Sequence, residues 1–212
     1  MPDASPLDPF LTQNLRVQRV AGVALLLAHP GSGLQRLDAL MRRPVGQVPP
    51  YWAHVWPGGS ALAQHVLAHP DLVRGKRVMD LGAGSGLVGI AMARAGAQSV
   101  VASEIDPVGR AVIALNAALN DVTLKITGDV LKAGPPFVDL IAAGDMFYAA
   151  GLAKAVLRFL NLAVAAGITV LIGDIGRTDL PTHLTPLASY PVRDYGDSPG
   201  TSDRSGTVFG FD

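Results

Sequence analysis

The 212-residue sequence contains no cysteine, which excludes disulfide bonds, thiolate metal sites and a cysteine nucleophile. It also lacks an excess of charge of either sign, because 17 basic residues balance 17 acidic ones. A neutral chain disfavours nucleic acid as a partner, since binding to phosphates needs a basic surface. The longest apolar run near the N-terminus, residues 20–28, is far shorter than a membrane span of roughly 20 residues.

Metal ligands and targeting signals are equally scarce. The five histidines include one pair at helical spacing, His65 and His69, but no acidic residue accompanies it in a metalloprotease-like pattern. Residues 1–9 contain no lysine or arginine, unlike the start of a secretory signal. We therefore expect a cytoplasmic protein, monomeric, with no metal and no membrane attachment.

Short apolar segments alternate with helical patterns over most of the chain. Strands are predicted at residues 77–81, 99–103, 123–127, 138–143 and 168–172, and helices at 60–69, 87–95, 106–119 and 150–166. Two further strands, residues 190–195 and 207–211, end the sequence. This order predicts an α/β fold of the Rossmann-like, doubly wound type, with a mostly parallel seven-stranded sheet and a C-terminal antiparallel hairpin.

Residues 1–48 do not share this alternation. They contain two possible strands, residues 15–20 and 23–28, and end at a proline pair, Pro49-Pro50. We interpret them as an N-terminal extension that precedes a main domain of residues 49–212. Ser60 is the predicted N-cap of the first helix of that domain.

The segment Asp80-Leu81-Gly82-Ala83-Gly84-Ser85-Gly86 lies between the first predicted strand and a helix. Its glycines allow a tight turn and a close approach of ligand to backbone, and the helix start supplies unpaired N–H groups. Glu104 ends the next strand, where a carboxylate can reach the hydroxyls of a ribose. Asp129, in Gly128-Asp129-Val130, follows the third strand and can accept from an adenine amine.

Two cofactors are compatible with this loop. Residues 84–89 match the GxGxxG fingerprint of NAD-binding proteins, but Asp80 would lie beside the pyrophosphate of NAD. S-adenosylmethionine (SAM) instead carries an ammonium, a ribose diol and an adenine amine, one group for each of three acids. The pattern favours SAM over NAD and over a glycine-rich turn without ligand. The residues predicted to bind it are Asp80, Gly82, Gly84, Gly86, Glu104, Asp129 and Val130.

Residues 78–86 resemble motif I of the class I (seven-β-strand) SAM-dependent methyltransferases. Four further regions are similar to the lysine methyltransferases of the electron transfer flavoprotein β subunit: 50–53 (PYWA) with 56–59 (WPGG), 144–148 (GDMFY), 171–174 (LIGD) with 176–177 (GR), and 208–211 (VFGF). The resemblance runs from about residue 10 to the C-terminus. It implies a protein-lysine N-methyltransferase that acts on that subunit, with Trp56 in contact with SAM and residues 1–48 on the acceptor side.

By the same resemblance, Asp145 and Tyr148 line the junction of cofactor and acceptor, and we expect them to be the catalytic residues. Asp145 follows an apolar strand, a costly place for an acid unless it serves a site. It could orient the lysine amine or relay its proton.

The sequence departs from the family pattern at two places, which leaves alternatives open. Ala149 stands where an acid commonly follows the Phe-Tyr pair, and Ile175 where proline is frequent. One alternative is an N-methyltransferase for a small amine or another protein nitrogen; a second is a SAM-binding module without turnover. A nucleic-acid methyltransferase is disfavoured further, because the Asn/Asp-Pro-Pro-Tyr/Phe base-flipping loop is absent.

Overall fold

A computed structural model describes residues 7–36, 49–134, 136–193 and 204–211. We label its helices and strands in chain order: α1 Leu7–Asn14, β1 Arg16–Val20, β2 Val23–Leu27, α2 Pro57–Ala68, β3 Arg77–Leu81, α3 Leu87–Arg94, β4 Ser99–Ser103, α4 Pro107–Ala118, β5 Lys125–Thr127, β6 Leu140–Gly144, α5 Ala150–Ala165, β7 Thr169–Asp174, β8 Thr185–Val192 and β9 Arg204–Phe211. Three short 3-10 turns lie at Leu34–Arg36, Tyr51–Ala53 and Pro70–Leu72.

Strands β3 to β9 form one seven-stranded sheet of order β5-β4-β3-β6-β7-β9-β8. The first five of these strands are parallel to one another, whereas β9 pairs antiparallel with both β7 and β8. The predicted Rossmann-like sheet with its terminal antiparallel hairpin is thus confirmed. The strand order changes direction between β3 and β6, and open α/β sheets bind ligands outside the carboxyl ends of the strands at such a point.

Helices cover both faces of the sheet, and successive strand residues alternate between two apolar cores. Val78, Leu140 and Leu171 point toward α2 and α3, while Met79, Ile141 and Val170 point toward α5. Helix α4 joins the α2 side through Ile113, which contacts Ala102 of β4. Within the described ranges, no helix has the length and apolarity needed to cross a membrane.

The described part of the predicted extension, residues 7–36, packs onto this domain. The β1–β2 hairpin lies against α4, where the Asn116 side chain accepts from the Leu26 N–H at 2.7 Å and Asn120 accepts from the Ala24 N–H at 3.0 Å. Helix α1, which the sequence pattern did not predict, buries Leu11 completely. The remainder of the extension, residues 1–6 and 37–48, lies outside the described residues.

Two predicted starts differ from the structure by four residues or more, whereas the other described boundaries agree to within three residues. Helix α2 begins at Pro57, and its N-cap is Trp56, four residues before the predicted Ser60 cap, because proline suits the first helical position. Strand β8 begins at Thr185, five residues early, since an edge strand tolerates prolines such as Pro186. The predicted end of that strand, residues 194–195, lies outside the described residues.

Candidate active site

A cavity of about 470 Å³ opens at the carboxyl ends of β3, β4 and β6. A narrow recess beside it shares several of its walls and reaches Asp80 and Ser85. Seven of the predicted cofactor and catalytic residues line the main cavity, and Asp80 lines the recess. The seven are Trp56, Gly82, Gly84, Glu104, Asp129, Asp145 and Tyr148.

The glycine-rich loop after β3 forms one wall of this cavity. Gly82 and Gly84 have φ angles of +70° and +53°, which favour glycine. A β-carbon at Gly82 would lie 2.1 Å from the Met146 sulfur, whereas one at Gly84 would meet nothing nearer than 3.9 Å. Gly86 does not line the cavity; it caps α3 with a φ of +85° and lies against Ile113. Gly86 therefore has a role in the start of the helix, and its contact with the cofactor stays a prediction.

Asp80 is almost completely buried at the base of the recess. One carboxylate oxygen accepts from the Gly89 N–H at 2.7 Å, and burial raises the pKa of the carboxyl to about 7. In the part of the chain that the structure describes, no basic side chain pairs with it. A buried carboxylate without a cation is costly, so a cationic ligand group at this position would stabilise its charged form.

Glu104 lies at the end of β4, one strand away. Its two oxygens accept from the Gly84 and Asp106 N–H groups, each at 2.8 Å, and burial raises the pKa of its carboxyl. Since each carboxylate oxygen can accept more than one hydrogen bond, both remain able to accept from a ligand hydroxyl.

The third acid lies nearer the surface. Asp129 is exposed and accepts from the Leu131 N–H at 2.9 Å. Its neighbour Val130, also predicted as a cofactor residue, packs its side chain against the apolar core beneath α5, and Leu131 lines the cavity instead.

Asp145 is held between two protein donors. Its backbone has a φ of +57°, one oxygen accepts from the Gly59 N–H at 2.7 Å in the first turn of α2, and the other pairs with Arg177 at 2.5 Å. Arg177 also donates to the fully buried Asp174 at 3.1 Å. Burial raises the pKa of Asp145 to about 6, although the charge of Arg177 opposes the rise. The carboxylate is therefore fixed in position, and any substrate amine would share it with these donors.

The close contact of two glycine motifs places Asp145 there. A β-carbon on Gly58 would lie 2.1 Å from the carbonyl oxygen of Gly173, and one on Gly173 would lie 2.2 Å from that of Gly58. This approach of α2 to β7 brings the helix N-terminus, with its partial positive charge, to the carboxylate. Arg177 was not among the predicted site residues; its sequence signal was its position three residues after Asp174.

Three aromatic rings lie at the mouth of the cavity. The Tyr51 ring centroid is 5.6 Å from that of Trp56 and 5.5 Å from that of Tyr148. Tyr51 and Tyr148 are 42% and 52% exposed, so the rings form an open rim. Partial burial raises the pKa of the Tyr148 hydroxyl. Tyr51 was missed as a site residue because a single aromatic beside proline has no periodic pattern.

Comparison with known proteins places this geometry in a family. Residues 64–167 match the family described as ribosomal protein L11 methyltransferase (PrmA). The electron transfer flavoprotein beta subunit lysine methyltransferase of Xenopus laevis is 40% identical over 173 residues, covering 77% of this chain and 70% of the frog protein. The protein of the same name from Rattus norvegicus is 41% identical over 149 residues, covering 69% of this chain and 58% of the rat protein.

Among solved structures, Trm5b from Pyrococcus abyssi matches with a TM-score of 0.56 at 18% identity, covering 93% of this chain and 55% of that protein. At this identity the match supports the fold alone. The fold and its glycine-rich loop define a methyltransferase of the Rossmann-like, seven-stranded class. Within that class, the chain belongs to the electron transfer flavoprotein β-subunit lysine methyltransferase family, which confirms the predicted family.

Proposed function

We propose that this chain is a SAM-dependent protein-lysine N-methyltransferase that acts on the β subunit of electron transfer flavoprotein. The observation that carries the proposal is that a set of three acids and the Asp145–Arg177 ion pair lie side by side at one site. Three acids surround the glycine loop at the ends of β3, β4 and β5, and the Asp145–Arg177 pair lies beside them under an aromatic rim. The names of the related rat and frog proteins support the substrate.

The acids fit the three polar ends of SAM. Asp80 would pair with the ammonium of the amino-acid end, Glu104 would accept from the ribose hydroxyls and Asp129 would accept from the adenine amine. A cavity of about 470 Å³ is within the range of small-molecule sites, roughly 300–1,000 Å³. NAD fits less well, because the Asp80 carboxylate in the recess would repel a pyrophosphate on the same loop.

When bound, SAM supplies an electrophilic methyl group that an amine lone pair can attack. The acceptor lysine must first lose a proton, which at pH 7 requires roughly 4–5 kcal/mol for a group with a pKa of about 10.4. The rim of Tyr51, Trp56 and Tyr148 would desolvate the ammonium and lower its pKa. Asp145, fixed by Gly59 and Arg177, would orient the amine by accepting one of its N–H bonds.

The exposure of the rim favours a protein acceptor over a small amine. A small substrate would gain most from an enclosed pocket, whereas Tyr51 and Tyr148 each leave roughly half of their surface open. A lysine side chain projecting from another protein can enter such a mouth while its backbone stays outside. The exposed start of α5, at Ala149 and Ala150, provides no carboxylate to bind the lysine ammonium. Asp145 would therefore be the residue that recognises this cation.

Transfer of labelled methyl from SAM into purified electron transfer flavoprotein, and into a cell lysate, tests this proposal. We expect label in the β subunit, recovered as methyl-lysine after hydrolysis and lost with the Asp145→Ala variant. Calorimetry should show that this variant still binds SAM, because Asp145 contacts the acceptor side. Tight SAM binding by the wild type without label in any protein would contradict the proposal and favour a small acceptor or a module without turnover.

A further inference from the structure

A second cavity, of about 580 Å³, lies between the β1–β2 hairpin, the start of α2 and the end of β8. We call it the second cleft. Its floor is apolar and includes the buried side chains of Leu27 and Val192. Its edges are polar and carry Gln18, Arg19, Gln64 and Arg193. It shares no lining residue with the main cavity of the candidate active site.

The charged side chains that line the second cleft, among the residues that the structure describes, are of one sign. Two arginines line it, and no aspartate or glutamate is among the described residues of its wall. Both arginines are exposed, and in the described ranges neither forms an ion pair. The Arg19 side chain donates a long hydrogen bond of 3.5 Å to the Gly22 carbonyl. Burial lowers the pKa of His54 on the inner wall, which keeps its imidazole neutral at pH 7. The positive charge of the second cleft is therefore that of the two guanidinium groups.

The second cleft borders the candidate active site through one short segment. His54 and Val55 line both the second cleft and the Asp80 recess, and the next residue, Trp56, belongs to the aromatic rim. A partner that fills the second cleft is therefore separated from the acceptor mouth only by residues 54–56. This adjacency makes the cleft suited to hold the same molecule that presents the acceptor lysine.

We propose that the second cleft docks an acidic segment of the protein substrate, and this inference rests on the proposed function. Carboxylates would pair with Arg19 and Arg193 at the edges, while apolar side chains of the same segment would contact Leu27 and Val192. The apolar floor suits a polypeptide, and the neutral net charge of the chain leaves this pair as a local source of attraction. The cleft thus selects a lysine that has acidic residues near it in space.

The test compares initial rates of methylation of purified electron transfer flavoprotein β subunit by three proteins: wild type, an Arg19→Gln/Arg193→Gln double variant and an Arg158→Gln control. Arg158 is exposed on α5, across the sheet from the second cleft. The double variant should raise KM about five-fold at low salt, as expected for two exposed ion pairs, and leave kcat and the Kd for SAM unchanged. Its KM should also depend less on salt than that of the wild type.

A further variant, Arg19→Glu/Arg193→Glu, should raise KM more than the double glutamine variant. Glutamine only removes the attraction for the acidic segment of the substrate, whereas glutamate also repels it. A wild-type KM in the double variant overturns the docking role while the methyltransferase activity stands. An equal rise in Arg158→Gln also overturns it, since the effect would then be one of overall charge. Absence of methyl transfer by the wild type is a different result, which refutes the proposed function itself.

Discussion

Replacing Asp80 by asparagine should weaken SAM binding and, at the same time, stabilise the ligand-free protein above pH 7. The carboxyl is almost completely buried, and its pKa of about 7 in the folded chain compares with 3.8 for an ordinary aspartate. Between these two values the folded state binds more protons than the unfolded state, so the free energy of unfolding falls as the pH rises. A pKa difference of about three corresponds to a decrease of about 4 kcal/mol in the free energy of unfolding between pH 4 and pH 8.

Asparagine keeps an oxygen for the Gly89 N–H and removes the charge, so the Asp80→Asn variant should lose most of this pH dependence. Its Tm should exceed that of the wild type at pH 8 and approach it at pH 5. SAM affinity should fall about 100-fold, the effect of losing a buried charged hydrogen bond. The matched control is Asp129→Asn, which alters an exposed carboxylate and should change Tm little.

Thermal unfolding at pH 5 and pH 8, with calorimetric titration of SAM at pH 8, measures both effects. Wild-type and Asp80→Asn proteins with the same change in Tm between the two pH values would refute the assignment of the buried charge. Undiminished SAM affinity in the variant would refute the assignment of Asp80 to the ammonium.

Three other changes give distinct outcomes. Gly173→Ala should destabilise the fold by at least about 3 kcal/mol in a denaturant titration, because the new β-carbon would lie 2.2 Å from the Gly58 carbonyl oxygen. The control is Gly151→Ala, whose β-carbon would meet no atom within 4 Å and which should stabilise α5 by about 0.5 kcal/mol. Equal effects of the two substitutions on the free energy of unfolding would contradict the packing argument. Ala149→Asp should add a side-chain N-cap to α5, which has none, and raise the free energy of unfolding by about 1 kcal/mol. A lower Tm of the variant would contradict this prediction. Asp145→Asn should reduce kcat at least tenfold, because Arg177 loses one of its two charged partners and the amine loses its strongest acceptor. The Kd for SAM should stay within about threefold. Undiminished turnover in a rate assay would remove Asp145 from the mechanism.

The parallel half of the sheet was predictable from local patterns. Strand β4 matches its predicted residues 99–103, and α4 begins as expected after Asp106, whose side chain accepts from the Val108 N–H at 2.8 Å. These elements follow from signals that are local in sequence, such as a β-branched run and an Asp-Pro start. Asp80, Gly82 and Glu104 lie at one cavity because parallel strands bring their carboxyl ends to the same edge of the sheet.

The remaining features depend on contacts between distant segments. The first turn of helix α2 packs its Gly58 against Gly173, which is 115 residues away. The same contact brings Gly59 and Arg177 to the two oxygens of Asp145, so neither donor could be assigned from spacing. The second cleft likewise joins β1, α2 and β8, three elements with no sequence signal that relates them.

The most direct test of the account is to map the methyl groups by mass spectrometry after incubation of the purified chain with SAM and electron transfer flavoprotein. We predict methyl groups on lysine side chains of the β subunit, absent when the chain carries Asp80→Asn at SAM concentrations that saturate the wild type. SAM turnover with every lysine of the β subunit unmodified, or with methyl on another type of side chain, would contradict the proposed lysine methyltransferase.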